Sequence, residues 1–422
     1  MVAMVLSTAC GVLSMQSMLI AIGVGASGSL PLAATLNWVV KDGLGQLGGV
    51  IFAGVVNNQF DADPKKWRMI ASISLDISSF IELLTPLAPG YFLPLAAFAN
   101  VGKNVSFLAA SASRAAIHKS FAVHENLADV TAKTGSQCIL ASLAGTSLGL
   151  SIAAGLAGDY AAIVAAFAAC SALNLGATYF SLRGVTLTTL SVARLDFVVG
   201  QFLDDVQAQR SLATTAAASA SAGATAVVTA SATTTAAAAD AVSRPVLLSP
   251  ERVMEREVLL GTPSRLVPLS VGADLDAAVG SARELALLLH AHRGDEYLLT
   301  CRTTSTTSGS GVQHAEVHLL LKEGAGRRDL LRGLVHSVVL RRLLAEQGFA
   351  APSAYSLGPA RRGAGWEWNE AALEVARMRG AEGGALDAAV EALVLAQWGG
   401  GRGWLIEELV LEVRRARLAV RE

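Results

Sequence analysis

"TGSQCILASLAGTSLGLSIAAGLAG", residues 134–158, and "YAAIVAAFAACSALNLGATYFSL", residues 160–182, carry no charge and are separated only by Asp159. A helix rises about 1.5 Å per residue and the apolar core of a bilayer is about 30 Å thick, so each run is long enough to cross one. With a single residue between them they form a helical hairpin. In the first run Ala141, Gly145, Gly149, Ala153 and Ala157 recur at every fourth position. Such a small-residue stripe lets two helix backbones approach closely in lipid. The fold is therefore read as mainly α, with a polytopic helical membrane domain at its front.

Composition separates the chain into two materials. Hydrophobic residues make up 52% of the 422 and charged residues 16%, against the roughly 25% charged usual for soluble domains. Residues 1–210 hold 11 Lys+Arg and 11 Asp+Glu, and no charge precedes Lys41. Further apolar runs cover 10–36, 43–58, about 64–84 and about 92–113. A net charge of -1 leaves no basic face for nucleic acid. Cys10, Cys138, Cys170 and Cys301 are scattered without a C-x-x-C pair and read as packing residues.

Glycines at 23, 25 and 28, and again at 43, 45 and 48, spell G-x-G-x-x-G twice. A dinucleotide site needs a strand before the glycines, a helix after them and an acid about 20 residues on. The first copy lacks the acid; the second follows the charged pair Lys41 and Asp42 instead of a buried strand. Gly45, Gly49 and Ala53 repeat the four-residue spacing, so these glycines are expected to pack helices.

Asp63 and Pro64 provide an N-cap and a first-turn proline for the helix at 64–84, and the turn "TPLAPG" follows it. Lysines and arginines gather in every second connection, as the positive-inside rule requires, with Lys41 the exception. Ser72, Asp76 and Ser79 form a polar stripe about 60° wide on this helix. Asn100, Lys103, Asn104, Ser111 and Arg114 form one about 100° wide on the next. A hairpin turning at Pro89 and Gly90 brings Asp76 level with Lys103, and a lone charge at bilayer depth is costly. The expectation is an Asp76–Lys103 ion pair that either orients two helices or marks a ligand path.

Residues 211–243 are an Ala/Ser/Thr tract expected to be disordered. Beyond them, a soluble α+β domain is expected. Its helices fall near 272–292, 327–347, 369–379, 384–398 and 403–419, and "DEYLLTC" and "HAEVHLLLKE" form a hairpin around "RTTSTTSGSG". His290 with His292, and His314 with His318, could share strand faces but lack a third ligand, so no metal site is expected. No nucleophile elbow, zinc-protease motif or P-loop is present, and neither catalytic residues nor a cofactor are expected.

The blocks "LNWVVKDGLGQLGGVIFAG" (36–54), "DADPKKWRMIASISLDISSFIELLTPL" (61–87) and "ANVGKNVSFLAASASRAAIHKSFAVHENLADVTAKTGSQ" (99–137) resemble the root UVB sensitive family. "SLRGVTLTTLSVARLDFVV", "LLSPERVMEREVLLG" and "GGGRGWLIEEL" are similar to it as well. The resemblance implies a membrane protein of eukaryotes tied to UV-B response, development, auxin distribution and vitamin B6 balance. It implies no reaction, and a further N-terminal segment bearing Gly-Tyr-Pro.

The matching blocks contain the polar residues expected to bind a ligand or pair helices: Lys41, Asp42, Asp76, Glu82, Asn100, Lys103, Arg114, Asn126, Asp129, Lys133 and Gln137. Together these readings give a membrane domain at 1–205, a linker at 206–243 and an α+β domain at 244–422. The expected role is a non-enzymatic scaffold or signalling component in an organelle membrane, plastid or endomembrane. Its expected partners are the lipid bilayer and a paralogous family member. The alternative is a carrier for a small anionic solute such as a B6 vitamer, with the polar stripes as its path.

Overall fold

The computed structural model describes residues 1–21, 32–56, 60, 63–122, 126–156, 159–222, 247–257, 259, 267–304, 314–349, 366–368, 371–373, 375, 390 and 405–410. The chain forms two compact units, Met1–Leu187 with Glu257–Gly261, and Thr188–Arg256 with Thr262–Glu422.

The first unit is helical: α1 (Val2–Ala21), α2 (Leu32–Val56), α3 (Pro64–Leu83), α4 (Phe92–Phe121), α5 (Leu127–Gly155) and α6 (Tyr160–Arg183). Pro64 opens α3 at its first turn, with Asp63 in the cap position. Two 3-10 turns, Thr85–Leu87 and Pro89–Tyr91, join α3 to α4. Asp159 caps α6, accepting from the Ala162 amide at 3.0 Å.

The apolar runs at 10–36 and 43–58 differ from the helices found. Because "VAMVLSTACG" is apolar throughout, α1 begins at Val2; the Lys41–Asp42 pair sits inside α2 instead of ending a segment. That pair neutralises itself at 2.6 Å, and the Lys41 ammonium stands 4.5 Å over the Trp38 ring, so the helix continues through it. Gly23, Gly25 and Gly28 lie outside the described residues.

Small residues fix how these helices meet. A Cβ at Gly145 would stand 2.4 Å from the Val5 carbonyl oxygen, and one at Gly149 3.0 Å from the Ala9 Cα. Ala141, Gly145, Gly149 and Ala153 are all buried, so the stripe on α5 faces α1; Ala157 lies outside the described residues. Gly45 and Gly48 place α2 against Asn100 and Val101 of α4 in the same manner. The second glycine motif is helix packing.

This unit is arranged with apolar groups outward. Phe98, Ile139, Leu143 and Phe180 are 69%, 72%, 66% and 71% exposed, whereas Ser14, Ser17, Asp76, Glu82, Ser113 and Asn174 are buried. Among the described residues five segments, α1, α3 and α4 with their adjoining 3-10 turns, α5 and α6, are long and apolar enough to cross a membrane.

The second unit contains β1 (Thr189–Ser191), α7 (Val192–Ala222), α8 (Pro250–Arg256), β2 (Leu269–Val271), α9 (Leu275–Ala278) and α10 (Ala282–Ala291). It continues with β3 (Tyr297–Thr304), β4 (His314–Leu321), α11 (Arg327–Glu346), β5 (Trp366–Trp368) and β6 (Leu405–Val410). The expected hairpin is present: β3 and β4 are antiparallel, Cys301 opposite Val317, in a sheet ordered β2-β4-β3-β5. Leu195, Val198, Val199 and Phe202 of α7 join Leu299, Val317, Leu334 and Val338 in one core. Arg341 of α11 clamps Asp196 of α7 bidentately at 2.5 and 2.7 Å. Burial pushes the Asp196 carboxyl above its usual range, and the guanidinium opposes that push.

The compact helical unit ends at Leu187, and the apolar face of α7 belongs to the second core. Two expectations change here. Residues 211–222 of the tract expected to be disordered are helical, in keeping with the high helix propensity of alanine; 223–243 lie outside the described residues. The expected helix at 403–419 contains strand β6, drawn into parallel pairing with β1. Most of 369–379 and 384–398 lies outside the described residues.

All four cysteines are free thiols. Burial pushes the Cys301 thiol up to about 12, so almost none is thiolate near neutrality. Iodoacetamide at pH 8 should leave Cys301 unlabelled in native protein and label it after denaturation, as peptide mass mapping would show. Labelling of the native chain would mean that β3 opens.

Candidate functional site: a cation-lined cavity in the helical unit

The polar residues of α3 and α4 build two separate clusters. Lys103 of α4 reaches along the hairpin to the Glu82 carboxylate near the end of α3, and Ser14 of α1 donates to the same carboxylate oxygen. Glu82 is 1% exposed and the Lys103 side chain 17%. Asp76 faces α6, where it accepts from Ser171 Oγ at 2.6 Å and from Asn174 Nδ2 at 3.2 Å.

The expected Asp76–Lys103 pair is thus corrected: each residue has another partner. The register was sound, since a Cβ on Gly102 would stand 2.2 Å from Ser78 Oγ, one residue from the level derived from the turn. The face was not. A third helix, α6, supplies the partners of Asp76, and the flexible lysine stem spans more than a turn to reach Glu82.

Between α1, α3, α4 and α6 lies a cavity of about 390 Å³. Among the described residues its charged lining groups are Arg68, Lys103 and Arg114, and no carboxylate lines it. Among the described residues neither arginine is paired with an acid, and the two are close enough for each to feel the other's charge. Glu82 neutralises Lys103, which leaves about two uncompensated positive charges.

Three hydroxyls of the lining are also uncommitted, whereas Thr8, which lines it too, donates to the Met4 carbonyl at 2.9 Å. Ser78, Ser106 and Ser113 donate to the carbonyl four residues back, the usual satisfaction of a helical serine. Ser72, Ser79 and Thr178 line the cavity at 6%, 3% and 6% exposure, and among the described residues their hydroxyls bond to no protein group. Phe107 and Leu75 give the same cavity an apolar wall.

Other candidate residues lie apart from this site. Asn100 of α4 donates to the Lys41 carbonyl and to the Asp42 carboxylate, joining α2 to α4. Asp129 and Lys133 form an exposed i,i+4 pair at 2.8 Å, of a kind worth little in water. Gln137 is exposed on α5, and Asn126 stands at the N-cap of that helix. Among the described residues no group of three metal-ligating side chains occurs.

Ser14, Ser171, Asn174 and Thr178 escaped the sequence reading. Ser171, Asn174 and Thr178 recur at three and four residues in an otherwise apolar run, which is the polar-stripe signal that marked α3 and α4. Asp76→Asn should cost about 1 to 3 kcal/mol, because one of its two acceptor oxygens becomes a donor facing the donors Ser171 and Asn174. Thermal unfolding in detergent would measure it; a variant as stable as wild type would remove the α3–α6 bond from the account.

An apolar six-helix unit with a basic cavity, followed by a separately cored α+β unit, defines the class. The chain belongs to the root UVB sensitive family: residues 1–206 match its "Vitamin B6 photo-protection and homoeostasis domain", and 246–371 match "Root UVB sensitive protein, C-terminal". It is 33% identical over 195 residues to Protein root UVB sensitive 3 of Arabidopsis thaliana, covering 46% of this chain and 44% of that one. Over 198 residues it is 32% identical to Protein root UVB sensitive 2, chloroplastic, of the same plant, covering 47% and 45%. RUS family member 1 of Dictyostelium discoideum is 30% identical over 200 residues, covering 47% and 38%. The match spans less than half the length of each of these relatives. No solved structure matches the chain.

Proposed function

We propose that the helical unit sits in an organelle membrane and that its cavity binds and carries a small anionic solute. The cavity lining supports this reading: among the described residues it has three cations, no carboxylate, and three buried residues, Ser72, Ser79 and Thr178, whose hydroxyls bond to no protein group. Membrane placement is supported by the outward Phe98, Ile139, Leu143 and Phe180, whose exposure to water would be costly and to lipid favourable. The matched domain's description makes B6 vitamers the first solutes to try, and one relative's name, chloroplastic, makes the plastid the first membrane. No reaction enters the reading; substrate passes through unchanged.

The second reading is a scaffold in UV-B response that works with a paralogous family member. The second unit, which has a hydrophobic core of its own, favours it. The cavity separates the two readings. Gly11 lines it, and a Cβ there meets nothing within 4 Å, so Gly11→Phe should fill the space without displacing a helix.

In proteoliposomes, uptake of labelled pyridoxal 5′-phosphate or 4-pyridoxate should exceed that of empty vesicles and fall at least tenfold in Gly11→Phe. A carrier is contradicted if neither anion enters faster than into empty vesicles. A scaffold predicts that Gly11→Phe complements a null mutant fully.

A further inference from the structure

We infer that the cavity selects a dianion, specifically a phosphate monoester with an apolar body, and that Arg68 and Arg114 make the selection. This rests on the anion-binding reading above and narrows it.

The charge balance comes first. Of the three lining cations, Lys103 is already neutralised by the buried Glu82 carboxylate. Asp76 does not line the cavity; its carboxylate is held by Ser171 and by Asn174, which itself lines the cavity, and those two donors already occupy it. That leaves Arg68 and Arg114, neither paired with an acid among the described residues. Arg68 is half-buried and Arg114 exposed, so a monoanion leaves one guanidinium without a counter-charge, screened in part by water at Arg114, whereas a dianion matches both.

Head-group shape follows from the residue type. Guanidinium is a planar fork that presents parallel N–H donors to two oxygens at once, and two of them can divide the three terminal oxygens of a phosphate monoester. A carboxylate has only two oxygens and occupies one fork. Ser72, Ser79 and Thr178 offer three more donors without protein partners among the described residues, suited to an ester oxygen or to hydroxyls on the body. The body itself lies against Phe107 and Leu75. Inorganic phosphate would satisfy the arginines and leave that wall uncovered.

The test compares phenyl phosphate with benzoate, two probes that share a ring and differ in head group. Isothermal titration at pH 8 on the full chain in nanodiscs should give phenyl phosphate at least about tenfold tighter than benzoate, and tighter than inorganic phosphate, the increment of one extra charge-assisted bond. Arg68→Gln and Arg114→Gln should each cut phenyl phosphate affinity about tenfold and erase its advantage over benzoate. The Lys variants should restore part of the affinity. Equal affinity for the two probes, both lost in Gly11→Phe, would overturn the dianion rule and leave the anion cavity standing. If neither probe binds wild-type protein, the anion-binding reading falls with it. Should a glutamine variant fail to fold, the wild-type comparison alone decides.

Discussion

Lys103→Met is expected to destabilise the helical unit by about 3 to 5 kcal/mol, the usual penalty for leaving one member of a buried ion pair alone. The stranded group is Glu82, 1% exposed and then held, among the described residues, by Ser14 alone. Glu82→Gln should cost less, because Lys103 is partly open to the cavity at 17% exposure and can find water there. The double variant Glu82→Gln with Lys103→Met removes both charges and should recover much of the loss. It should also separate stability from binding. Lys103→Met alone leaves a bare carboxylate beside the cavity and should weaken anion binding, whereas the double variant restores neutrality and should restore affinity. Thermal unfolding in detergent and titration with phenyl phosphate would read the two effects. A single variant as stable as wild type would show that the pair contributes nothing to the α1–α3–α4 contact.

The second large effect is expected at Gly145. Its missing side chain lets the α1 backbone come close enough that a Cβ would stand 2.4 Å from the Val5 oxygen and 2.7 Å from the Thr8 Cβ. Backbone cannot step aside as a flexible side chain can, so Gly145→Leu should reach or exceed the top of the ~1–3 kcal/mol range for overpacking. Gly149→Leu should fall slightly below it, since its nearest contacts are the Val12 Cβ at 2.8 Å and Ala9 atoms at 3.0 Å. Gly135 and Gly155 on the same helix supply the control, as a Cβ at either meets nothing within 4 Å. Leucine there should change the melting temperature little. If Gly145→Leu and Gly135→Leu melted alike, the α1–α5 packing would be misassigned.

Much of the helical unit was legible because its signals are one-dimensional. The Asp63–Pro64 start, the Asp159 break and the spacing of Ala141, Gly145, Gly149 and Ala153 each declare themselves along the chain. What a single sequence cannot declare is which of several helices a given face meets. Asp76 lay one residue from the level of Lys103, yet it bonds α6, because the packing of four helices and not the α3–α4 turn decides the direction of each stripe. The cavity was invisible for the same reason: Arg68, Lys103 and Arg114 had been counted as topology markers and stripe members, and only the bundle brings them onto one wall. In the second unit the β3–β4 hairpin followed from alternation. β6 did not, since "LIEELV" fits a helix as well and is settled by its distant partner β1.

The proposed function requires that the cation-lined cavity open to water and that the outer face of the helical unit meet lipid. Engineered cysteines tested in membranes, with Cys138 changed to Ser and the buried Cys10, Cys170 and Cys301 as the background control, address this directly. Ser72→Cys and Thr178→Cys line the cavity, while Ile139→Cys and Phe180→Cys are 72% and 71% exposed on the outer face. A charged methanethiosulfonate should modify the first two and be slowed by bound phenyl phosphate, and should leave the second two untouched until detergent is added. Rapid modification of Ile139→Cys and Phe180→Cys in intact membranes, with Ser72→Cys and Thr178→Cys protected, would contradict it.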